Sequence, residues 1–568
     1  MALTGASLLA LTFLLTSGAW GAGLGRIVIE APEIAAAKVT RVYEILSQVP
    51  GVSAGPTSVS IHGSYKVKVF LDGSPLTDPS SGFNAVTWER LAPESLARIE
   101  ILMDSGGLIY GQDASAGVIL LTSKAEEKKF RGSLKVYGGD YGYFQSELDL
   151  AFQEGLWGLA VAAGREEAGG FLPNEDKLIH RGSLNVSRRL TEGSVSLGLA
   201  ATDDERGLYG YPGFPTPEAR KRARLFSLTQ ETRWRALANN LTYQRGRVAN
   251  QDPSQAINQY LMVSELTDNL TLALEPASWL SLSLGTGFKR SWAESSDFTP
   301  QSEWAGHFFS RAEARLPWSG WSLAVGARYN RNSDFRDNLN PEATLNWARG
   351  DWSVSLKYNR SANTPTYQQR FNRSSSTRPN PDLDVEIADN LGLVATWRVN
   401  DKMSWFLSGF SNRLKGRITY DRPANSGFGQ YKNLGLATYE GGDLGFDWKI
   451  NSTVALKANV TYTRAKDWDL RKNLTGRSRL AGASEVKVQP LPELTTILTI
   501  EYRTAAWEDR RNTSKIPGYA LYGLRAEWDL GRVSLTLSLE NILNRAWLYS
   551  DGLEGPPRNF YLGLAYRF

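Results

Sequence analysis

The chain has 568 residues and a net charge of only +5 on 64 basic and 59 acidic side chains, with no dense basic run, which argues against nucleic-acid binding. Mean hydropathy is −0.33 and no stretch approaches the ~20 continuous apolar residues that a membrane-crossing helix needs, so helical membrane proteins are excluded. The absence of cysteine removes disulfides and thiolate metal sites, and 3 His with 4 Met leave few ligands for a bare metal ion.

Taken in chain order, an apolar run from Leu8 to Leu15 followed by small residues reads as a secretory signal peptide over residues 1–21, although no Lys or Arg precedes it. Next comes "RIVIEAP", Arg26 to Pro32, a short β-prone segment. In "VTRVYEILSQVPGV", Val42, Ile45, Leu46 and Val49 share one helical face, and Pro50-Gly51 stops the helix. A strand from Val67 runs into Asp72-Gly73, a turn signal, and a second strand covers Val118 to Thr122 after a run of small residues.

Beyond about Lys128 the pattern changes to a period of two. Trp352, Val354, Leu356 and Tyr358 alternate with Ser353, Ser355 and Lys357, and Val533, Leu535, Leu537 and Leu539 alternate with Ser534, Thr536, Ser538 and Glu540. The final stretch alternates Phe560, Leu562, Leu564, Tyr566 and Phe568. Strands with one apolar and one polar face fit a soluble sandwich or propeller, or a membrane barrel. Polar faces dominated by Ser, Thr, Asn, Lys and Glu, and strand ends rich in Trp and Tyr, favour the membrane barrel. At roughly 20 residues per strand with its connection, the region holds about 22 strands, a barrel wide enough to need a plug.

The segments "VYEILSQVPGV", "VSIHGSYKVKVFLDGSPL" and "LARIEILMDSGGLIYGQDASAGVILLTSK" closely resemble the plug domain of TonB-dependent outer-membrane receptors. "NTPTYQQRF", "RPNPDLDVEIADNLGL", "YKNLGLATYEGGDLGFDWKI", "ENILNRAW" and the final "PPRNFYLGLAYRF" resemble the barrel of the same family, in the family's order. The resemblance implies an all-β transmembrane barrel of about 22 antiparallel strands with an N-terminal α+β plug in its lumen. Expected boundaries are a signal peptide at 1–21, an N-terminal segment and plug at 22–126, and the barrel at 127–568.

It further implies a bacterial outer-membrane transporter that binds a scarce, bulky ligand, a ferric siderophore or a cobalamin-like corrinoid, and imports it to the periplasm. The alternative is a plugged surface receptor without energised transport. Expected partners are TonB with its inner-membrane energising complex, the barrel assembly machinery and outer-membrane lipid; no cofactor, resident metal or enzyme activity is expected. His62 lies in the plug segment, and His180 and His307 stand beside no Ser or Asp motif of a nucleophile and base.

Members of the family usually carry arginines in the plug that pair with barrel carboxylates; here the matching stretches read Ile61-His62-Gly63 and Met103-Asp104-Ser105, which puts that latch in doubt. His62 reads either as a pH-sensitive substitute or as a hydrogen-bonding filler. "RIVIEAP" resembles the box that adds as a strand to TonB, with Ile27, Val28, Ile29, Glu30 and Ala31 as contacts, but reads equally as the first plug strand. Candidate ligand residues are Tyr209, Tyr211, Phe214, Arg220 and Arg222 in one loop and Tyr367, Arg370 and Phe371 in another. Aromatic faces with guanidinium groups suit an anionic, ring-bearing ligand, and ordinary polar loops with aromatic anchors would look the same.

Overall fold

In the computed structural model, which describes residues 26–81, 85–88, 93–124, 129–211, 214–374, 376–422, 427–549 and 552–568, the period-two segments close into a barrel of 22 antiparallel strands. The signal-peptide segment lies outside the described residues. Strands run from 8 residues (Val533–Glu540) to 21 (Ile257–Ala277). The alternation sorts as the pleat requires: Leu356 and Leu535 stand exposed on the outer wall, while Ser355, Gln244, Asn340 and Asn359 are buried against the lumen contents.

The two ends of the barrel differ. Tight connections at 155–156, 191–192, 235–236, 278–279, 350–351 and 492–493 join strands at one end, and loops such as 364–385, 416–435 and 504–518 join them at the other. Trp157, Trp234, Trp279, Trp352 and Trp528 are exposed beside the tight turns, forming an aromatic girdle at the lower boundary of the apolar band. Short turns mark the periplasmic end of such barrels and long loops the outer end.

Closure joins the last strand, Asn559–Arg567, to the first, Phe130–Gly139. The Phe568 N–H donates to the Gly132 carbonyl at 3.0 Å, the Gly132 N–H donates back at 2.8 Å, and the Phe568 and Phe130 rings lie 5.8 Å apart. A Cβ at residue 132 would meet the Phe568 ring at 2.3 Å, so the seam needs glycine there. Removing Phe568 deletes this pair of bonds and the ring contact. We expect the fraction of chains that migrate faster unboiled than boiled in detergent gels to fall severalfold; an unchanged fraction would show that the seam does not depend on Phe568.

The plug is a five-stranded sheet with the edge-to-edge order Ile27–Glu30, Leu96–Met103, Gly117–Ser123, Val67–Leu71, Ser74–Pro75. Short helices Ala31–Ala36 and Val42–Leu46 pack on it, and Val42, Ile45, Leu46 and Val49 are buried in its core with Ile61, Ile99, Ile101 and Leu121. Asp72 and Gly73, at φ 47° and 81°, make the tight turn that their sequence indicates.

Candidate functional site

The plug lies inside the barrel, and the contacts between the two parts carry much of the buried charge. Three plug segments reach toward the loop end. The Gly63 carbonyl accepts from Arg477, whose guanidinium lies 4.7 Å over the Tyr65 ring. Asp113 accepts from the Thr364 N–H at 2.8 Å and its hydroxyl at 3.0 Å, and Gln112 donates to Asn332 at 3.3 Å. Asp78 and Ser80, in the third, lie against Gly246 of the wall.

Among the ionic contacts that fix the plug to the wall, two clusters are buried. In the first, Arg41 is buried, donates to Gln145 at 2.7 Å and to Tyr143 at 3.2 Å, and ion-pairs with Glu166 and Glu147 of the wall. Burial opposes its charge, but Tyr143, Glu166 and Glu147 outweigh that and hold the guanidinium protonated. Arg181 and Lys177 complete the cluster from the barrel side.

In the second, the two departures from the family pattern meet. His62 places Nδ1 2.8 Å from Asp104 of the plug and Nε2 2.9 Å from Asp443 of the barrel, with its ring stacked on Phe410 at 3.6 Å. Asp443 also accepts from Ser408 and from Thr461 at 2.7 Å, and Asp104 accepts from Asn412 at 2.5 Å. Burial of the imidazole opposes its charge, yet Asp104 and Asp443 together push its pKa from the usual 6.5 up to about 10. His62 sits at φ 49°, and a Cβ at Gly51 would come within 2.7 Å of Nε2, so backbone and glycine both shape the seat. The ionic latch that the sequence put in doubt is therefore present, with histidine as the cation between two carboxylates. The two flanking carboxylates favour the protonated imidazole and raise its pKa.

The remaining sequence-chosen residues are placed as follows. Ile27, Val28 and Ile29 are buried and pair with Ile99 to Ile101, so in this structure Ile27–Glu30 is the edge strand of the plug; Ala31 opens the following helix. Arg26–Glu100 (2.8 Å) and Glu30–Arg98 (3.4 Å) clasp its two ends.

Tyr209 and Tyr211 do lie in a loop at the outer end, where Tyr211 pairs with Phe214 in a two-residue hairpin. A Cβ on Gly552, across the mouth, would lie 3.8 Å from the Tyr211 ring. Arg220 and Arg222, by contrast, belong to the strand Arg220–Trp234 and are committed, Arg220 to Asp176 at 2.8 Å and Arg222 to Asp203 at 2.6 Å. Tyr367 and Arg370 are buried in the helix Tyr367–Phe371: Tyr367 meets Ser291 at 2.8 Å, and Arg370 meets Glu303 at 3.2 Å and Asp334 at 3.4 Å. They brace the loop and do not face the mouth as free groups. Phe371 packs against Phe298. The two loop sets are anchored on different strands, Arg220 and Arg222 through Asp176 and Asp203, and Tyr367 and Arg370 through Ser291 and Glu303.

Sequence reasoning missed Arg41, Tyr65, Asp443 and Arg477. Arg41 carried a signal, a charge directly preceding a helix whose face is otherwise apolar; the others carried none. It also missed a small cap in which Thr377–Arg378, Gly429–Asn433 and Ile418–Asp421 form one sheet that ties two outer loops together.

Residues 130–542 match the family described as TonB dependent receptor-like, beta-barrel, and residues 24–118 match the TonB-dependent receptor plug domain. The vitamin B12 transporter BtuB of Photobacterium profundum is 22% identical over 583 residues, covering 95% of this chain and 92% of that protein. In structure, a variant of the ferric enterobactin receptor PfeA of Pseudomonas aeruginosa superposes with a TM-score of 0.80 at 17% identity, covering 96% of this chain and 100% of that one. The FrpB iron transporter of Neisseria meningitidis gives 0.78 at 13% identity, covering 96% and 99%. A closed barrel of 22 strands, a plug latched inside it and the two family matches in sequence order lead to one conclusion: the chain belongs to the TonB-dependent receptor family.

Proposed function

We propose that the protein is an outer-membrane transporter that captures a bulky ligand at its loop end and releases it to the periplasm when TonB acts on the plug. The observation that carries this reading is the way the plug is held. Many of its contacts with the wall are hydrogen bonds and ion pairs such as Arg41–Glu166, His62–Asp443 and Lys38–Glu527, which water can replace, and its apolar core is built mainly from plug residues, meeting the wall at Phe406 and Val394. A plug built in this way can shift while uncovering only the part of its core that meets Phe406 and Val394.

If Ile27–Glu30 is the segment that TonB takes, engagement would free it from the sheet edge, where its residues are buried and its ends are clasped by Arg26–Glu100 and Glu30–Arg98. Cyanocobalamin is the first ligand to test, because the full-length sequence relative is a vitamin B12 transporter. A ferric catecholate siderophore is the second, supported by the loop aromatics and by the ligand class of the superposed receptor.

The test is accumulation of radiolabelled cyanocobalamin and of the ferric catecholate by cells with and without TonB. Uptake of one of them is expected to need TonB and to collapse with a protonophore, while surface binding persists. Binding with no TonB-dependent uptake of either would support the surface-receptor reading instead.

A further inference from the structure

On the membrane-facing side of the wall the barrel carries a recess of about 530 Å³ that lies outside the lumen. Register places His180, Asp203, Arg224, Arg247 and Met262 side by side across five adjacent strands, and Arg245 beside Phe226 in the next row. All of them line it on the outward pleat, opposite the lumen-facing Thr242 and Gln244, which are buried.

The charges there do not cancel. Asp203 is taken by Arg222 and Arg224, at 2.6 and 3.2 Å. The Arg245 guanidinium instead meets the Met262 thioether sulfur at 2.9 and 3.1 Å, and Arg247 lies 5.1 Å over the Tyr260 ring. Among the described residues no carboxylate lies within ion-pair distance of Arg245 or Arg247.

Height decides what can reach them. Arg224 lies on the same strand and the same outward pleat as the girdle residue Trp234. Ten residues at ~3.3 Å each, on a strand tilted about 40°, put Arg224 roughly 25 Å above that girdle, which is the full height of the apolar band. The two guanidinium groups therefore stand at the outer headgroup level, with Phe226, Tyr260 and Met262 beside them facing acyl chains.

We propose that this recess binds the phosphate of an outer-leaflet lipid headgroup, with Arg245 and Arg247 as the forked donors and Phe226 and Met262 against the lipid's apolar part. This rests on the proposed outer-membrane location, but the binding itself is testable on purified barrel. A failure of binding is thus separable from a failure of location, which cell fractionation reads.

Native mass spectrometry of the detergent-purified, full chain would count adducts of short-chain phosphatidic acid, short-chain phosphatidylcholine and inorganic phosphate. The wild type is expected to hold phosphatidic acid well above the other two. The double variant Arg245→Gln/Arg247→Gln should lose that affinity roughly thirty-fold, from about fivefold per cation. Arg188→Gln, whose guanidinium lies over Trp157 at the opposite girdle, should change nothing. Unboiled gel migration of each variant checks that the barrel is intact. Equal binding by the double variant, or equal binding of phosphatidylcholine, would overturn the site. Inorganic phosphate binding as well as phosphatidic acid would overturn the lipid assignment.

Discussion

Replacing His62 with alanine is expected to destabilise the seated plug by about 3–5 kcal/mol, because it leaves the carboxylates of Asp104 and Asp443 buried without their shared cation. That is at least about a hundred-fold in the opening equilibrium, and amide exchange of the strands Leu96–Met103 and Gly117–Ser123 would read it directly. Asp443→Asn should cost less, since His62 keeps Asp104. The pH dependence has a definite sign. The folded pKa of His62 is raised above the unfolded 6.5 to about 10, so its stabilisation is fully present below pH 6.5 and is lost as pH rises through about 10. Exchange protection of the plug that is unchanged in His62→Ala, or that falls between pH 5 and 7, would contradict the latch.

Deleting residues 26–124 is expected to leave a folded barrel that conducts ions in planar bilayers with large, nonselective steps. The strands pair around a closed ring without help from the plug, and the face they leave behind is polar, with Gln244, Asn330, Asn340, Asn346 and Asn359 directed inward. A lumen of 22 strands is wide enough to fill with water once emptied. Conductance equal to that of the intact chain would mean that these residues do not block the pore.

Much of this architecture was legible in the sequence because a strand's two faces alternate with a fixed period. Trp352 to Tyr358 and Val533 to Glu540 announce both the strand and the side that meets lipid, and Asp72-Gly73 announces its turn. Contacts between distant segments were not legible. His62 and Asp443 lie 381 residues apart, and nothing local to either marks the other. Arg220 and Arg222 read as loop residues because they are polar and follow a Pro-rich stretch, yet the strand extends above the membrane to include them. Tyr367 and Arg370 looked free because composition does not reveal that Thr366 and Gln369 form a capping box that turns the segment into a short buried helix. The row from His180 to Met262 was invisible for a related reason: it exists only once five strands are set in register.

The seam between Phe130–Gly139 and Asn559–Arg567 also constrains how the molecule can be made. It is the ring's pairing of greatest sequence separation, so its loop-closure entropy is the largest and it forms last. Until residues 559–567 have been synthesised, the nascent sheet has two edges whose N–H and C=O groups are unpaired and ready to join those of another chain. Biogenesis must therefore be all-or-none. A chain interrupted before the final strand keeps both edges unpaired and is expected to give an aggregation-prone ribbon and not a narrower pore.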